Sequence, residues 1–232
     1  MTDNELASEA KEATRRRVRP HHAASLILLR ENAGIISVLM GRRGRSARFM
    51  PGFYVCPGGR VAEDDRETWR AEVGAPHATD GAAFLRLARA ALRETYEETG
   101  LLVGSPSPTV AEGARFPIET AYAAKCIAPD LGLLTYIGRA ITPTVSPMRF
   151  DTRFFLADGK HAVGALADSA ELDDVAWHVA DPKAERPMSG VTRFMLARAL
   201  DVWRGDAAPA PLYRHIKNRA YVATPGARLL RR

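Results

Sequence analysis

The sequence has little cysteine, few aromatic residues and no long hydrophobic run. Cys56 and Cys126 are its two cysteines, and neither lies in a CxxC or another metal-binding spacing. Two cysteines in 232 residues exclude a disulfide scaffold and favour a reducing compartment. No apolar run approaches the ~20 residues that span a bilayer, which argues against a membrane-spanning helix. Because no apolar segment precedes Ser25, we predict no secretory signal and a cytoplasmic protein.

Acidic residues are outnumbered, since 33 Lys and Arg residues stand against 27 Asp and Glu residues and give a formal charge of +6. The chain is 46% hydrophobic and 26% charged, proportions typical of a globular protein. They exclude a disordered chain, a collagen-like chain and a coiled-coil rod. The surplus positive charge favours an anionic partner, and charge alone leaves nucleic acid, a membrane surface and a phosphorylated small molecule open.

Apolar patterning and turn residues predict one domain over residues 23–204, with a basic arm over 1–22 and a basic tail over 205–232. Two apolar runs around a short turn predict a hairpin. The predicted strands are Ala23–Leu29, Ile35–Met40, Phe53–Cys56, Leu134–Ile141, Thr152–Leu156 and Val175–Val179, and the predicted helices are Ala82–Thr99, Ala121–Cys126 and Val191–Trp203. Several prolines predict that residues 103–133 wrap the surface.

The predicted helix Ala82–Thr99 carries an acidic arc near its end. At about 100° per residue, Glu94, Glu97 and Glu98 share one arc. The opposite, core-facing side holds Leu85, Ala88, Leu92 and Thr99, and one flank holds Arg86, Arg89 and Arg93. Like charges four residues apart and anions near a helix C-terminus are both unfavourable. Bound Mg²⁺ or Mn²⁺ would relieve both conflicts, whereas the alternative interpretation is a solvated helix face.

Glycine and arginine residues precede this helix. Pro57-Gly58-Gly59 ends a predicted strand, where the tight backbone can offer a carbonyl to a metal. The substrate-binding candidates in this region are Arg42, Arg43 and Arg60. Arginine binds phosphate through paired hydrogen bonds, and a solvated loop is the equally weighted alternative.

These motifs resemble the Nudix box of the Nudix hydrolase family. Arg93-Glu94-Thr95-Tyr96-Glu97-Glu98-Thr99-Gly100-Leu101 matches the second half of the box, with Thr95 in place of its usual aliphatic residue. The first half departs, because 33 residues separate Gly59 from Arg93 and residues of about 62–80 form an insertion. Asp65 stands where the family has Glu.

Flanking segments are similar to a subgroup of longer Nudix proteins that includes an animal coenzyme A diphosphatase. The segments that carry this likeness are Arg48–Gly52, Arg149–Phe155 and Glu171–Trp177. The resemblance implies an α+β Nudix fold, an α/β/α sandwich around a mixed curved sheet, over residues 23–204. It also implies Mg²⁺- or Mn²⁺-dependent hydrolysis of a diphosphate linkage in a nucleoside diphosphate joined to another moiety. Coenzyme A-type, ADP-ribose and dinucleotide substrates all fit this description.

The resemblance also implies roles for individual residues. Glu94, Glu97 and Glu98 would bind the metal, assisted by a backbone carbonyl of Gly58 or Gly59. Arg93 would orient one of the glutamates. The family varies in the position of its general base, so one glutamate of the box is an alternative proton relay. Beyond the box, the candidates are Glu112, Glu119, Asp168 and Glu171, which the sequence does not rank.

Two other classes of function compete with this interpretation. A non-catalytic Nudix-like module that senses a nucleotide often loses the three carboxylates, all of which are present here. A nucleic-acid-binding protein is not supported by a zinc spacing, a helix-turn-helix pattern or an aromatic-basic motif. We therefore predict a small nucleotide substrate as the partner, with no membrane and no nucleic acid, and leave a homodimer open.

Overall fold

The computed structural model describes residues 18–77, 81–107, 113–216, 219–224 and 230–231. Most of the predicted basic arm over 1–22 lies outside the described residues, as does Glu112. The helices are α1 (Ala82–Thr99), α2 (Pro117–Ala124) and α3 (Gly190–Trp203). The strands are β1 (His21–Asn32), β2 (Ile35–Arg43), β3 (Tyr54–Val55), β4 (Gly58–Arg60), β5 (Leu102–Pro106), β6 (Ile127–Pro129), β7 (Thr135–Ile141), β8 (Phe150–Asp158), β9 (Ala162–Val163), β10 (Leu172–Val179), β11 (Leu212–Ile216), β12 (Arg219–Ala223) and β13 (Leu230–Arg231).

Strand β1 lies in the interior of the main sheet, whose order is β10-β2-β1-β8-β7-β11-β12-β13. It is antiparallel to β2 and β4 and parallel to β8. Strands β7 and β11 also run parallel, so the sheet is mixed. A smaller sheet has the order β6-β5-β9. The α+β class predicted from the sequence is confirmed.

The apolar run of β1 is continuous because both of its faces are buried. Leu26 and Leu28 belong to the core cluster that also contains residues of α1. Ile27 and Leu29 belong to the cluster that contains residues of α3. Helices therefore cover both faces of the main sheet, which gives the three layers expected of the fold.

The predicted hairpin is confirmed and is longer than predicted. β1 and β2 pair from Leu29↔Val38 to Asn32↔Ile35, joined by a two-residue turn. Both turn residues have positive φ, 49° at Ala33 and 77° at Gly34, as tight hairpin turns require. Ala is an unusual choice at such a position.

Helix α1 has the predicted bounds. It ends at Gly100, which has φ 77° and donates its N–H to the Tyr96 carbonyl at 2.8 Å. Ala88, Leu92 and Thr99 of the predicted core face are buried, and Leu85 is half-buried.

The prediction that residues 103–133 wrap the surface is wrong. The described part of this segment contributes most of β5, helix α2 and strand β6, and it buries Val103, Ile118 and Tyr122 in the core. Helix α2 starts at Pro117, four residues before the predicted Ala121–Cys126. Proline is favoured in the first helical turn, and this start signal outweighs the Ala-rich pattern that follows.

The segment predicted as a basic tail over 205–232 extends the main sheet. β11 pairs in parallel with β7, and β12 and β13 follow in antiparallel order. Tyr213 of β11 is buried in the cluster beneath α3. The prediction of a tail relied on the basic charge of this segment. Its alternating apolar residues instead place β11 and β12 in the sheet.

The insertion between β4 and α1 is packed rather than loose in its described part, residues 62–77. Trp69 is 2% exposed, donates its indole N–H to the Asp64 carbonyl at 3.0 Å and lies against the Tyr122 ring. Val73 and His77 form bridges with Asp130 and Thr135. No helix in the described ranges is long and apolar enough to cross a membrane.

Replacing Trp69 with alanine tests this packing. We expect Trp69→Ala to lower the free energy of unfolding by about 3–5 kcal/mol, because it empties a large buried site. Urea denaturation followed by circular dichroism measures the change. Val145→Ala, at a side chain that is 77% exposed, should leave stability nearly unchanged. Equal stability of the two variants would show that the insertion does not support the core.

Candidate active site

Arg93 of α1 is held by the insertion. Its guanidinium donates to both carboxylate oxygens of Asp65, from Nε at 3.0 Å and from Nη2 at 2.9 Å. Asp65 is 0% exposed, so a paired, bidentate charge contact lies inside the protein. Asp65, near the start of the insertion, therefore clamps Arg93 across a sequence separation of 28 residues.

The remaining donors of Arg93 connect three parts of the site. Nη2 donates to the backbone carbonyl of Arg60, at the end of β4, at 2.9 Å. Nη1 pairs with Glu97 at 2.7 Å, and Nη2 lies 3.0 Å from Glu94 Oε1. Burial acts to lower the pKa of Arg93, but the carboxylates of Asp65, Glu94 and Glu97 outweigh burial and raise it. The guanidinium of Arg93 therefore stays protonated, and its contacts hold β4, α1 and the insertion together.

Glu98 lies beneath the glycine strand. It is 3% exposed, and its Oε2 accepts the Gly58 backbone N–H at 2.8 Å. Its other oxygen, Oε1, is buried without a hydrogen-bond partner in the described structure. A buried carboxylate oxygen without a donor is unfavourable, and a bound cation would satisfy it.

Glu94 lies next to Glu98 on the same helix face and contacts β4 closely. A Cβ atom on Gly59 would stand 2.5 Å from the Glu94 carboxylate, so a side chain at position 59 would collide with it. The glycine predicted from the motif thus serves a close approach between strand and helix.

The electrostatics of the pair favour a positive ligand. Burial raises the pKa of Glu94 to about 7, opposed by Arg93 and reinforced by Glu97. Burial also raises the pKa of Glu98 to about 8, although the Gly58 amide lowers it. Two carboxyl groups that resist ionisation together become stable anions when a cation neutralises them.

Glu97 is placed differently from its two neighbours. Its side chain is 52% exposed and is engaged by Arg93. Within the part of the chain that the structure describes, no group of three or more His, Cys, Asp or Glu side chains is arranged to hold a metal ion. Glu94 and Glu98, with the unpaired Oε1, fit a divalent cation.

A cavity of about 590 Å³, here called the main cavity, opens beside Glu94, Gly58 and Gly59. Apolar side chains of β1, β8 and α3 form much of its wall, among them Ile27, Phe154 and Met195. The residues at the start of α3 also line it, and nothing in the sequence motif indicated this contribution because it depends on the packing of α3. Glu94 therefore lies in the wall of a largely apolar cavity.

The three predicted arginines have different positions. Arg43 and Arg60 line the main cavity. Arg42 does not line it, because its Nε is paired with Asp173 at 2.8 Å on the exposed β2–β10 edge. Arg48, which the sequence places in the same basic loop, also lines the cavity.

The candidate general bases also differ in their position relative to the main cavity. Glu171 lines the main cavity and is 66% exposed, 3.9 Å from Arg43. Asp168 accepts the Val175 backbone N–H outside the cavity. Burial acts to raise the pKa of Glu119, but its hydrogen bonds from backbone amides lower it, so this carboxylate serves the α2 start.

Known structures resemble this one. The chain is similar to a Nudix hydrolase from Alicyclobacillus acidocaldarius, with 36% identity and a TM-score of 0.63, over 78% of this chain and 90% of that chain. It is also similar to the Nudix domain of Shewanella oneidensis NrtR, crystallised with ADP ribose, with 15% identity and a TM-score of 0.50, over 88% and 99% of the two chains. The second similarity concerns the fold alone. No protein-family model matches the sequence, and no curated protein matches it significantly.

The clamp can be tested by removing the charge of Asp65. We expect Asp65→Asn to lower the free energy of unfolding by about 1.5–3 kcal/mol, because it removes the bidentate buried carboxylate and leaves Arg93 only Glu94 and the half-exposed Glu97 as counter-charges. Asp173→Asn is the matched control, since its partner Arg42 is exposed and surface ion pairs contribute about 1 kcal/mol or less. Chemical denaturation of both variants measures the difference. Similar small losses in both would contradict a supporting role for Asp65.

Proposed function

The chain belongs to the Nudix hydrolase family, and we therefore propose that it hydrolyses a diphosphate linkage in a nucleoside diphosphate joined to a second moiety, with Mg²⁺ or Mn²⁺ as cofactor. Water attacks one phosphorus atom, the bridging P–O bond breaks, and the two products each keep a phosphate. The similarity to the Alicyclobacillus Nudix hydrolase supports the class of reaction. The substrate and the metal are our proposals.

One observation carries the proposal. Glu94 lines the main cavity beside the Gly58-Gly59 strand. Buried Glu98, whose Oε1 is unpaired, is held to the same strand by the Gly58 N–H. A diphosphate group placed there would bring two anionic phosphates against two carboxylates. This arrangement is repulsive unless a divalent cation bridges them, and carboxylates with substrate phosphates are the ligands that Mg²⁺ prefers.

The side chains of the site have different proposed roles. Glu94 and Glu98 would hold the cation, and the Gly58 amide keeps the Glu98 carboxylate oriented through its Oε2. Arg93 fixes the helix against β4 and orients Glu94 and Glu97. Arg43 and Arg60 would bind phosphate oxygens from the cavity wall.

A bound divalent ion supplies neutralisation of the developing charge and a lower pKa for a coordinated water. The attacking water must give up a proton, which requires a carboxylate within reach. Glu171 is our proposed general base, because it lines the main cavity whereas Asp168 and Glu119 serve backbone contacts elsewhere.

The nature of the second moiety remains to be identified by a substrate screen. Coenzyme A species enter the panel because of the subgroup likeness of the flanking segments, and ADP-ribose because the NrtR domain was crystallised with it. NADH, diadenosine polyphosphates and nucleoside triphosphates complete it. The largely apolar wall of the main cavity favours a substrate with an apolar portion beside the diphosphate. Saturable nucleotide binding without turnover would support the sensing module instead.

The cellular setting is also a proposal. Both cysteines are free thiols in the described structure, which agrees with the reducing cytoplasm predicted from the sequence. Homodimer formation stays a prediction, which sedimentation velocity on the full chain measures.

Replacing Glu98 tests the site directly. We expect Glu98→Gln to reduce turnover by orders of magnitude with the fold intact, because glutamine keeps the Gly58 contact but loses the charge that holds the cation. Glu31→Gln, at an exposed position of β1, should retain wild-type activity. Chromatographic detection of the two phosphorylated products across the panel is the measurement, with circular dichroism as the check on folding. Near-normal activity of Glu98→Gln would contradict the assignment of Glu98 as a residue that holds the cation.

Removing divalent cations gives an independent test. We expect EDTA to abolish hydrolysis and an excess of Mg²⁺ or Mn²⁺ to restore it, because the paired carboxylates need a counter-charge. Dialysis of the protein against EDTA, followed by titration with each metal, measures the requirement. Full activity in a large excess of EDTA would contradict the proposed cofactor.

A further inference from the structure

A second, smaller pocket lies where the start of β1, the end of β4 and α1 meet. Its volume is about 230 Å³. Basic side chains dominate its lining, and no carboxylate lines it in the described part of the chain. We call it the basic pocket; its lining residues are Pro20, His21, His22, Arg60, Val61, Arg66 and Arg86.

The backbone holds the walls of the basic pocket in place. β1 pairs with β4 so that Ala23 stands opposite Arg60, and the Val61 N–H donates to the His22 carbonyl at 3.0 Å. Arg86 comes from the second turn of α1. The basic groups therefore approach the pocket from a paired sheet region and a helix, which gives them fixed starting positions.

The positive charge of the basic pocket is only partly neutralised. Arg66 pairs with Glu63 at 3.0 Å, and His22 lies 3.9 Å from Asp151. The Nε of Arg86 is buried and has no hydrogen-bond partner among the described residues. A buried guanidinium N–H without an acceptor is unfavourable, so it indicates an acceptor that the chain itself does not supply.

We propose that the basic pocket binds a phosphate group and forms an anion subsite separate from the carboxylate site around Glu94. A phosphate monoester offers several acceptor oxygens, which match the planar donors of Arg60, Arg66 and Arg86. The imidazole N–H groups of His21 and His22 add further donors beside them.

The position of the basic pocket restricts which phosphate it can take. Arg86 precedes Glu94 by eight residues on α1, or about 12 Å along the helix axis. The basic pocket therefore lies toward the start of α1, whereas Glu94 lies near its end. Arg60 lines both the main cavity and the basic pocket, so the two sites adjoin. The ligand is therefore either a further phosphate on the substrate or a separate phosphate, and only the first case rests on the proposed function.

Calorimetric titration of the full chain with inorganic phosphate at constant ionic strength tests the subsite. We expect saturable binding, about tenfold weaker in Arg86→Gln and in Arg66→Gln because each loses a charged donor. Arg66 is 58% exposed, so its replacement should not disturb folding. Arg45→Gln, an exposed arginine outside both pockets, should bind as the wild type does.

Three outcomes would overturn the subsite: no saturable binding, unchanged affinity in both pocket variants, or equal weakening in Arg45→Gln, which would indicate diffuse attraction to the net charge. Glu98→Gln should keep phosphate affinity while losing turnover. The binding result therefore stands apart from any failure of the proposed hydrolysis.

Kinetics then distinguish the two sources of phosphate. NADH and NADPH differ by one phosphate, and both can be compared in wild type and Arg86→Gln. A raised KM for NADPH alone assigns the subsite to a phosphate on the substrate. Unchanged KM values, together with an effect of inorganic phosphate on the wild-type rate that is lost in the variant, assign it to a separate phosphate.

Discussion

The buried ion pair between Arg93 and Asp65 is the interaction on which the geometry of the site depends. One guanidinium contacts the insertion through Asp65, the glycine strand through the Arg60 carbonyl, and the helix face through Glu94 and Glu97. A shift of the insertion would separate Arg93 from the fully buried Asp65 carboxylate, and separating a buried ion pair is among the most costly changes in a protein interior. The position of Glu94 relative to Gly58-Gly59 therefore depends on this one cation, whereas the Gly58 amide holds Glu98.

The insertion between β4 and α1 supports helix α1. A second buried pair repeats the pattern one turn earlier, where Arg89 binds Glu72 at 2.6 Å with both side chains nearly inaccessible. Trp69 of the same insertion packs against the Tyr122 ring. Extra residues inside the signature thus supply counter-charges to α1, which explains why a long interruption is compatible with an intact site.

Elements specified by their own sequence could be predicted, whereas placements that depend on distant partners could not. The hairpin and α1 carry local signals, the two-residue turn at Ala33 and the helix end at Gly100. The burial of Glu98 depends on Gly58, forty residues earlier, and no periodicity encodes that contact. The same limit applies to the role of Asp65, which the motif left open, and to the wall that α3 gives the main cavity. The strands after residue 205 were not predicted, because the high charge of this segment outweighed its apolar pattern.

The parallel pairing of β1 with β8 has a consequence for the way the chain is made. His21 stands opposite Phe150, so the partner of the strand with the longest buried run is synthesised long after it. Until then β1 has β2 and the short β4 as neighbours, and its other edge exposes unpaired backbone beside Leu26–Leu29. Such an edge attracts other strands. Chains released from the ribosome before residue 158 should therefore aggregate and require chaperones, whereas completed chains close the sheet.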